Sequence, residues 1–335
     1  MLEGRRIVFT APGVLEWEQF AVDDSDLGPT ELIVRTHVTV ISPGTELARF
    51  SGKSPRFDAR TTHGPFLPGY ANIGTVLAAG AAVPAVPGDR VYTMATHASI
   101  ARVDLRQHLC VPVPAGLADE DAVFARLATV SMTTLLTTIA RGGDAMAVVG
   151  LGLVGNLAAQ IFQNCGMRVS AIDRSAARRA IAVRCGLRHL YASADDEQLA
   201  QHHRLVIEAS GSAEALASAV NLAAAGGEIV MIGAPWGGVE NSVPSGRLTG
   251  EIFLRFLRLR SGSEWEIPRQ PERLAIGSIH QNSVTALDWL ASGRLQAQPL
   301  ITHRLPAEAA ETAYAGLRSC PDEYLGVILH WGGQG

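Results

Sequence analysis

One hexapeptide near the middle of the chain, Gly150-Leu151-Gly152-Leu153-Val154-Gly155, limits the fold more than any other stretch. It follows the apolar run Ala145-Met146-Ala147-Val148-Val149 and opens a helix-like segment over 157–165. Strand, glycine turn and helix in that order predict a nucleotide site. Gly150 permits the tight turn, Gly152 lets backbone approach a pyrophosphate, and Gly155 lets strand and helix pack closely. Unpaired N–H groups around Leu153 and Val154 then face the phosphates. About 20 residues further on, Arg168-Val169-Ser170-Ala171-Ile172-Asp173 reads as a second short strand ending in an acid, placed to accept hydrogen bonds from the ribose hydroxyls of NAD. Arg174, Arg178 and Arg179 come next, and their guanidinium groups suit the extra phosphate of NADP instead. The carboxylate repels that phosphate, so NAD is favoured and NADP is the alternative. A plainer reading makes Asp173 the cap of a helix over 175–184.

The 335 residues suit two domains at roughly 150 residues each, and a hydrophobic fraction of 47% with 34 glycines suits α/β cores. A net charge of -4, with arginines scattered rather than striped, leaves no footprint for nucleic acid. No apolar stretch reaches the roughly 18 residues of a membrane span, and Met1-Leu2-Glu3-Gly4-Arg5-Arg6 leads into a strand rather than a signal-peptide core. A cytoplasmic enzyme with no membrane partner is expected. Cys110, Cys165, Cys185 and Cys320 are isolated, which argues against a disulfide framework or a thiolate zinc cage. They read as small buried apolar residues. Lys53 is the only lysine, which removes most Schiff-base and Tyr-x-x-x-Lys chemistry.

Residues 1 to about 115 are rich in β-branched residues, proline and glycine, with a strand over Glu31–Val40 and a turn then strand at Pro87-Gly88-Asp89-Arg90-Val91-Tyr92. From about Ala118 the spacing turns helical, over 121–139, and apolar runs then alternate with helix patterns to roughly Arg260. That alternation predicts a parallel sheet with crossover helices. The buried strands at 204–208 and 228–232 run into the small-residue loops Ala209-Ser210-Gly211-Ser212 and Gly233-Ala234-Pro235-Trp236. Ligands of open α/β sheets lie at strand carboxyl ends, so Ser210, Gly233 and Ala234 are expected beside the cofactor, with Trp236 either lining the substrate pocket or packed in the core. After about Pro268 come a helix over 283–292, a strand over 300–303, a helix over 307–318 and a strand at Gly326–His330. This part is too short to fold alone and is expected to complete the β domain. The expectation is an α/β chain: a mostly β domain over 1–117 completed by 268–335, and a doubly wound parallel-sheet domain over 118–267.

That architecture, with residues 40–47 (Val-Ile-Ser-Pro-Gly-Thr-Glu-Leu), 68–76, Gly88-Asp89-Arg90-Val91, the Gly150 fingerprint and the endings at 300–304 and 326–329, resembles the medium-chain dehydrogenase/reductase family over essentially the whole chain. The resemblance implies a GroES-like catalytic domain and a Rossmann domain with substrate and nicotinamide between them, and a homodimer paired through the Rossmann sheet edge. Zinc members of the family place Cys just before Gly-Thr-Asp, where this chain has Pro43 before Gly44-Thr45-Glu46. They place His-Glu after the Pro-Gly turn, where this chain has Tyr70-Ala71. Cysteine is also missing around Leu127-Ala128-Thr129, as is the four-cysteine lobe after Val91. Proline and alanine cannot ligate zinc and tyrosine does so poorly, so a zinc-free member is expected.

Without a Lewis acid, side-chain donors must stabilise the developing alkoxide. Thr45 matches the family's relay hydroxyl and competes with a reading as a strand-end threonine bonded to backbone. Tyr70 stands at the abandoned His position, as a donor or as packing. His97 and His63 are candidate terminal acids with structural alternatives. Glu46 reads as structural, because a carboxylate beside a forming oxyanion opposes the reaction. The expected function is hydride transfer between NAD(P) and a carbonyl or secondary alcohol of a small molecule, in secondary metabolism, similar to zinc-free relatives such as the bacteriochlorophyllide dehydrogenases. The alternatives are NADPH-dependent reduction of an activated C=C bond, as in the quinone-oxidoreductase-like branch, and a non-catalytic nucleotide-binding protein.

Overall fold

Alternating β-branched and aromatic side chains drive the N-terminal third into strands. The computed structural model describes residues 1–53, 65–233 and 245–332. Strands β1 (Leu2–Ala11) and β2 (Val14–Val22) form an antiparallel hairpin turned at Pro12-Gly13. Then come β3 (Glu31–Val40), helix α1 (Pro43–Phe50), β4 (Asn72–Ala79), β5 (Arg90–Thr93), β6 (Ile100–Asp104), β7 (Cys110–Pro112) and α2 (Asp119–Ala122). After α3 (Ala125–Thr137), strands and helices alternate: β8 (Ala145–Val149), α4 (Leu153–Asn164), β9 (Arg168–Ile172), α5 (Ala176–Arg184), β10 (His189–Tyr191), β11 (His203–Glu208), α6 (Ala213–Leu222), β12 (Ala223–Met231), α7 (Ser245–Leu254) and β13 (Arg258–Ser261). The chain ends with α8 (Ile279–Ala291), β14 (Ile301–Pro306), α9 (Ala310–Ser319) and β15 (Gly326–His330).

Two compact units result. The first holds Met1–Arg126, Ser283–Ala291 and Ile301–Gly335; the second holds Leu127–Asn282 and Ser292–Leu300. In the first unit a seven-stranded sheet runs β14-β15-β3-β4-β5-β7, with β6 added to β3. The C-terminal β15 lies antiparallel on β3, with Ile328 opposite Val40. A core of Ile7, Phe9, Ile41, Phe50, Tyr314, Val327 and Leu329 lies under this junction. Its rings interlock, with Tyr314 edge-on to Phe9 at 5.1 Å and stacked on Phe50 at 5.4 Å, so α1 and α9 share one apolar floor.

In the second unit the strand order is β10-β9-β8-β11-β12-β13, every pair parallel. The winding reverses between β8 and β11, and their carboxyl ends open the crevice where doubly wound sheets bind ligands. The parallel-sheet expectation and the α/β class are both observed. The boundaries differ in instructive places. Helix α1 was expected as strand-like chain, but Pro43 sits at its first position and starts it. The helix expected over 121–139 breaks at the buried Val123 and Phe124 into α2 and α3. Helix α4 starts at Leu153 rather than 157, directly from Gly152 as its cap. Residues 96–99 form only a single bridge, from Ala98 to Arg6, and β6 starts at Ile100. The chain returns to the first unit at Ser283, not at 268, and residues 292–300 stay with the second.

Cys110 and Cys185 are buried, and burial pushes both thiols up to about 12. Cys320 is exposed. At pH 8 a maleimide is therefore expected to label Cys320 within minutes and to reach Cys110 and Cys185 only after unfolding, as read by peptide mass spectrometry. Fast labelling of Cys110 in native protein contradicts this packing.

Candidate functional site

Ser42, the cap residue of α1, leaves its side chain free of any cap bond, and the helix start is held another way. Glu46, one turn on, reaches back to accept the Ser42 N–H at 2.8 Å. The other carboxylate oxygen accepts from the Tyr314 hydroxyl at 2.5 Å and faces His97 Nε2 at 3.0 Å. A carboxylate only accepts, so that Nε2 carries the hydrogen. His97 Nδ1 lies 2.8 Å from the Thr39 hydroxyl, which also accepts the Trp331 indole N–H at 2.9 Å. Glu46, His97, Thr39 and Tyr314 are all essentially inaccessible. Burial, with the Glu46 charge beside it, holds the Tyr314 phenol well above its ordinary range, so it remains a donor.

Above this buried network is a cluster of hydroxyls. The Tyr70 phenol donates to Ser42 Oγ and lies 3.5 Å from Thr45 Oγ1. Thr45 is exposed and Tyr70 half-buried, whereas Ser42 is buried. The Arg126 guanidinium lies over the Tyr70 ring, 4.6 Å from its centroid, and is itself buried. Burial lifts the Tyr70 phenol above its usual range, while Arg126 and the Ser42 and Thr45 hydroxyls work against that rise. Gly69 lets the chain pass here: its φ is +91°, and a Cβ would lie 2.6 Å from the His97 backbone nitrogen.

Thr45 and Tyr70 are thus brought together. Thr45 is in the first turn of a helix rather than at a strand end, and it points outward. His97 lies below both, with each ring nitrogen engaged by a protein group, which gives it the work of holding Glu46. Glu46 is structural, as its chemistry implied. His63 lies outside the described residues. Ser42 and Arg126 were not anticipated. The Ser-Pro start of a helix is a cap signature that identifies Ser42, and an arginine inside the apolar stretch Phe124-Ala125-Arg126-Leu127 is the signal for a buried cation. Where the zinc members of the resembled family hold their metal, this chain offers Pro43 in a helix start, the Tyr70 phenol and the buried Ala71. Hydroxyls under a guanidinium are not a zinc donor set.

In the second unit the turn after β8 has the glycine geometry expected. Gly150 adopts φ +94°, and a Cβ at Gly155 would lie 1.9 Å from the Gly150 carbonyl oxygen. A Cβ at Gly152 meets no described atom within 4 Å, so the space before it is open to a ligand. Leu153 is the first residue of α4 and Val154 the second, and α4 has no side-chain cap over its first N–H groups. Asp173, almost inaccessible, accepts the Leu151 N–H at 2.7 Å with one oxygen and the Ser175 N–H at 2.8 Å with the other. Arg178 lies 3.7 Å from the same carboxylate, and Arg179 binds the carbonyls of Asp173 and Arg174. The α5 cap is Ser175, whose hydroxyl accepts from the Arg178 N–H, so Asp173 is not the cap. Ser210 abuts Gly150, and Gly233 abuts Gly211. The loop after β11 is organised by the Glu208 carboxylate, which accepts from the Ser210 N–H and hydroxyl and the Gly211 N–H, while the Glu208 carbonyl accepts from the Gly233 N–H at 2.9 Å. Burial raises the Glu208 carboxyl against those bonds. Ala234 and Trp236 lie outside the described residues.

Comparison with known proteins finds likenesses to dehydrogenases. Residues 154–265 match the family described as zinc-binding dehydrogenase. A 2-desacetyl-2-hydroxyethyl bacteriochlorophyllide A dehydrogenase of Rhodobacter capsulatus is 29% identical over 322 residues, 92% of each chain. Two solved structures share the fold. An Escherichia coli alcohol dehydrogenase complexed with NADH has a TM-score of 0.78 at 18% identity, covering 98% of this chain and 100% of that one. A zinc-binding dehydrogenase of Sinorhizobium meliloti bound to NADP has a TM-score of 0.77 at 18% identity with the same coverage.

Replacing Glu46 by Ala strands three donors in the interior and is expected to cost about 3 kcal/mol of stability. Glu46→Gln, which keeps an acceptor, is expected to cost about half as much, and the exposed Thr45→Val within about 0.5 kcal/mol of zero. Urea unfolding of the three variants checks the order, and equal stability of Glu46→Ala and the unsubstituted chain refutes it.

Proposed function

We propose that this chain is an NAD(P)-dependent dehydrogenase of the medium-chain dehydrogenase/reductase superfamily, of the zinc-type alcohol dehydrogenase kind, and that it interconverts a carbonyl and a secondary alcohol on a small molecule without metal. The observation that carries the reading is the exposed Thr45 hydroxyl beside the half-buried Tyr70 phenol, with Ser42 and Arg126 against the phenol's oxygen and ring. The hydroxyethyl group in the name of the Rhodobacter capsulatus relative supports an alcohol as the group oxidised. Four unpaired cysteines among the described residues support a reducing compartment, the cytoplasm.

The dinucleotide fits the second unit. Uncapped N–H groups of α4 at Leu153 and Val154, with the open space before Gly152, hold the pyrophosphate. Each Asp173 oxygen makes one backbone hydrogen bond and keeps lone pairs for the ribose hydroxyls. Ser210 and Gly233 border the crevice. When bound, the nicotinamide supplies or accepts the hydride. The residues of the first unit handle the oxygen. Tyr70 donates a hydrogen bond to the carbonyl and gives up its proton as negative charge gathers there, and it takes the proton back in the oxidising direction. Thr45 is the exposed hydroxyl beside it and exchanges that proton with solvent. Glu46 is buried and held by its three donors, which keeps it in the interior.

A second reading has one observation behind it. Arg174 is exposed at the end of β9, next to Asp173, where a guanidinium suits the extra phosphate of NADPH and so the reduction of an activated C=C bond. Matched ketone and enone panels with NADH and NADPH separate the two. Turnover of ketones with NADH is expected, and enone turnover with NADPH alone replaces the first reading by the second.

Asp173→Ala is expected to weaken NADH binding about tenfold and NADPH binding less, read by protein-to-NADH fluorescence transfer. Unchanged NADH affinity removes Asp173 from the site. Tyr70→Phe is expected to lower kcat about 100-fold with cofactor affinity nearly intact, and Thr45→Val to lower it less. Elemental analysis of active protein is expected to find zinc well below one per chain, and stoichiometric zinc overturns the metal-free reading.

A further inference from the structure

A hydroxyl cluster lacks one thing that a divalent metal brings to a reacting oxygen, a fixed positive charge. The first unit supplies one. Arg126, in the first turn of α3, is 4% exposed and lies over the face of the Tyr70 ring at 4.6 Å. The same ring carries the phenol that donates to Ser42 and sits beside Thr45. Charge and phenol are thus joined face to edge through one aromatic ring, at the position where a zinc ligand is replaced. Glu46, one residue after Thr45, is bound to Ser42, His97 and Tyr314. An arginine keeps its charge at every pH the folded protein meets, so burial beside Tyr70 fixes a cation rather than a titrating group.

We propose that Arg126 takes the electrostatic place of the missing metal, stabilising through Tyr70 the negative charge that the reaction creates. The proposal rests on the carbonyl–alcohol reading above. In the reducing direction a hydride from the nicotinamide cofactor bonds to the carbonyl carbon, and the C=O π pair moves to oxygen. The Tyr70 O–H bond breaks, its proton joins that oxygen, and the pair left behind makes a phenolate. Arg126 faces that phenolate through the ring and Ser42 lies at its oxygen until Thr45, in exchange with water, returns a proton. In the oxidising direction the same phenolate is the base. Arg126 acts through Tyr70 and does not need to reach substrate, so it is a positioning residue.

An opposite charge at this range shifts a titrating group by about 1 to 3 pH units, which makes the role measurable without any substrate. Tyr70 is replaced by a trifluorotyrosine, whose phenol titrates near neutrality, and its ionisation is followed by fluorine NMR and by tyrosinate absorbance. Arg126→Met is expected to raise the midpoint by one unit or more, and Arg126→Lys, which restores charge without the flat fork, by less than half of that. Arg126→Gln replaces Arg126→Met where the latter does not fold. In the natural chain the alkaline limb of the kcat profile for ketone reduction is expected to move in the same direction in Arg126→Met, with KM for NADH unchanged. Identical titrations in the Arg126→Met and unsubstituted proteins overturn the role of Arg126, including in an enzyme that reduces ketones readily. A shifted titration in a protein that never turns over a carbonyl or alcohol leaves the charge coupling standing and overturns the proposed reaction instead.

Discussion

The Glu46 carboxylate is withdrawn from water and accepts hydrogen bonds from three parts of the chain: the Ser42 amide at the start of α1, the His97 imidazole before β6, and the Tyr314 hydroxyl of α9. A buried carboxylate with donors missing is costly, so each of the three segments is obliged to be in place for the others to be tolerated. The surface consequence is positional. Ser42 presents its oxygen to Tyr70, and Thr45 turns outward on the same helical turn, because Glu46 has fixed the helix start beneath them. Polar groups that never meet solvent thus set the geometry of the ones that do.

The second unit uses a carboxylate in a comparable way. Asp173 ties the tip of β9 to the glycine turn after β8 through the Leu151 amide, and to the first turn of α5 through the Ser175 amide. Glu208 does the same for the loop after β11. Both acids sit at strand carboxyl ends, where backbone amides would otherwise go unpaired. The tips of β9 and β11 are therefore fixed by internal hydrogen bonds at the point where the winding of the sheet reverses.

Much of this was readable along the chain. The alternating pattern gave the limits of β3 and β15, and the Gly150 fingerprint with Asp173 marked the turn, the helix and the acid in the right order. These are local signals, set by periodicities of two and 3.6 and by glycine conformations that only sequence-adjacent atoms dictate. What stayed hidden was non-local. His97 resembles any loop histidine until Glu46 and Thr39, 51 and 58 residues away, close on it. Arg126 interrupts an apolar stretch, yet its meaning depends on Tyr70, which the fold alone brings under it. Helix α1 was not assigned from sequence, where Thr45 competed only with a strand-end reading, although a serine before proline also starts helices.

Tyr314 donates to a carboxylate 268 residues earlier in the chain, and β15 supplies the neighbour that β3 requires. The first unit is therefore assembled from segments that precede and follow the second in sequence, whereas residues 127–282 of the second unit are consecutive. During synthesis the consecutive segment of the second unit is therefore complete while the sheet of the first still lacks β14 and β15 and the apolar residues that cover Ile7 and Phe9.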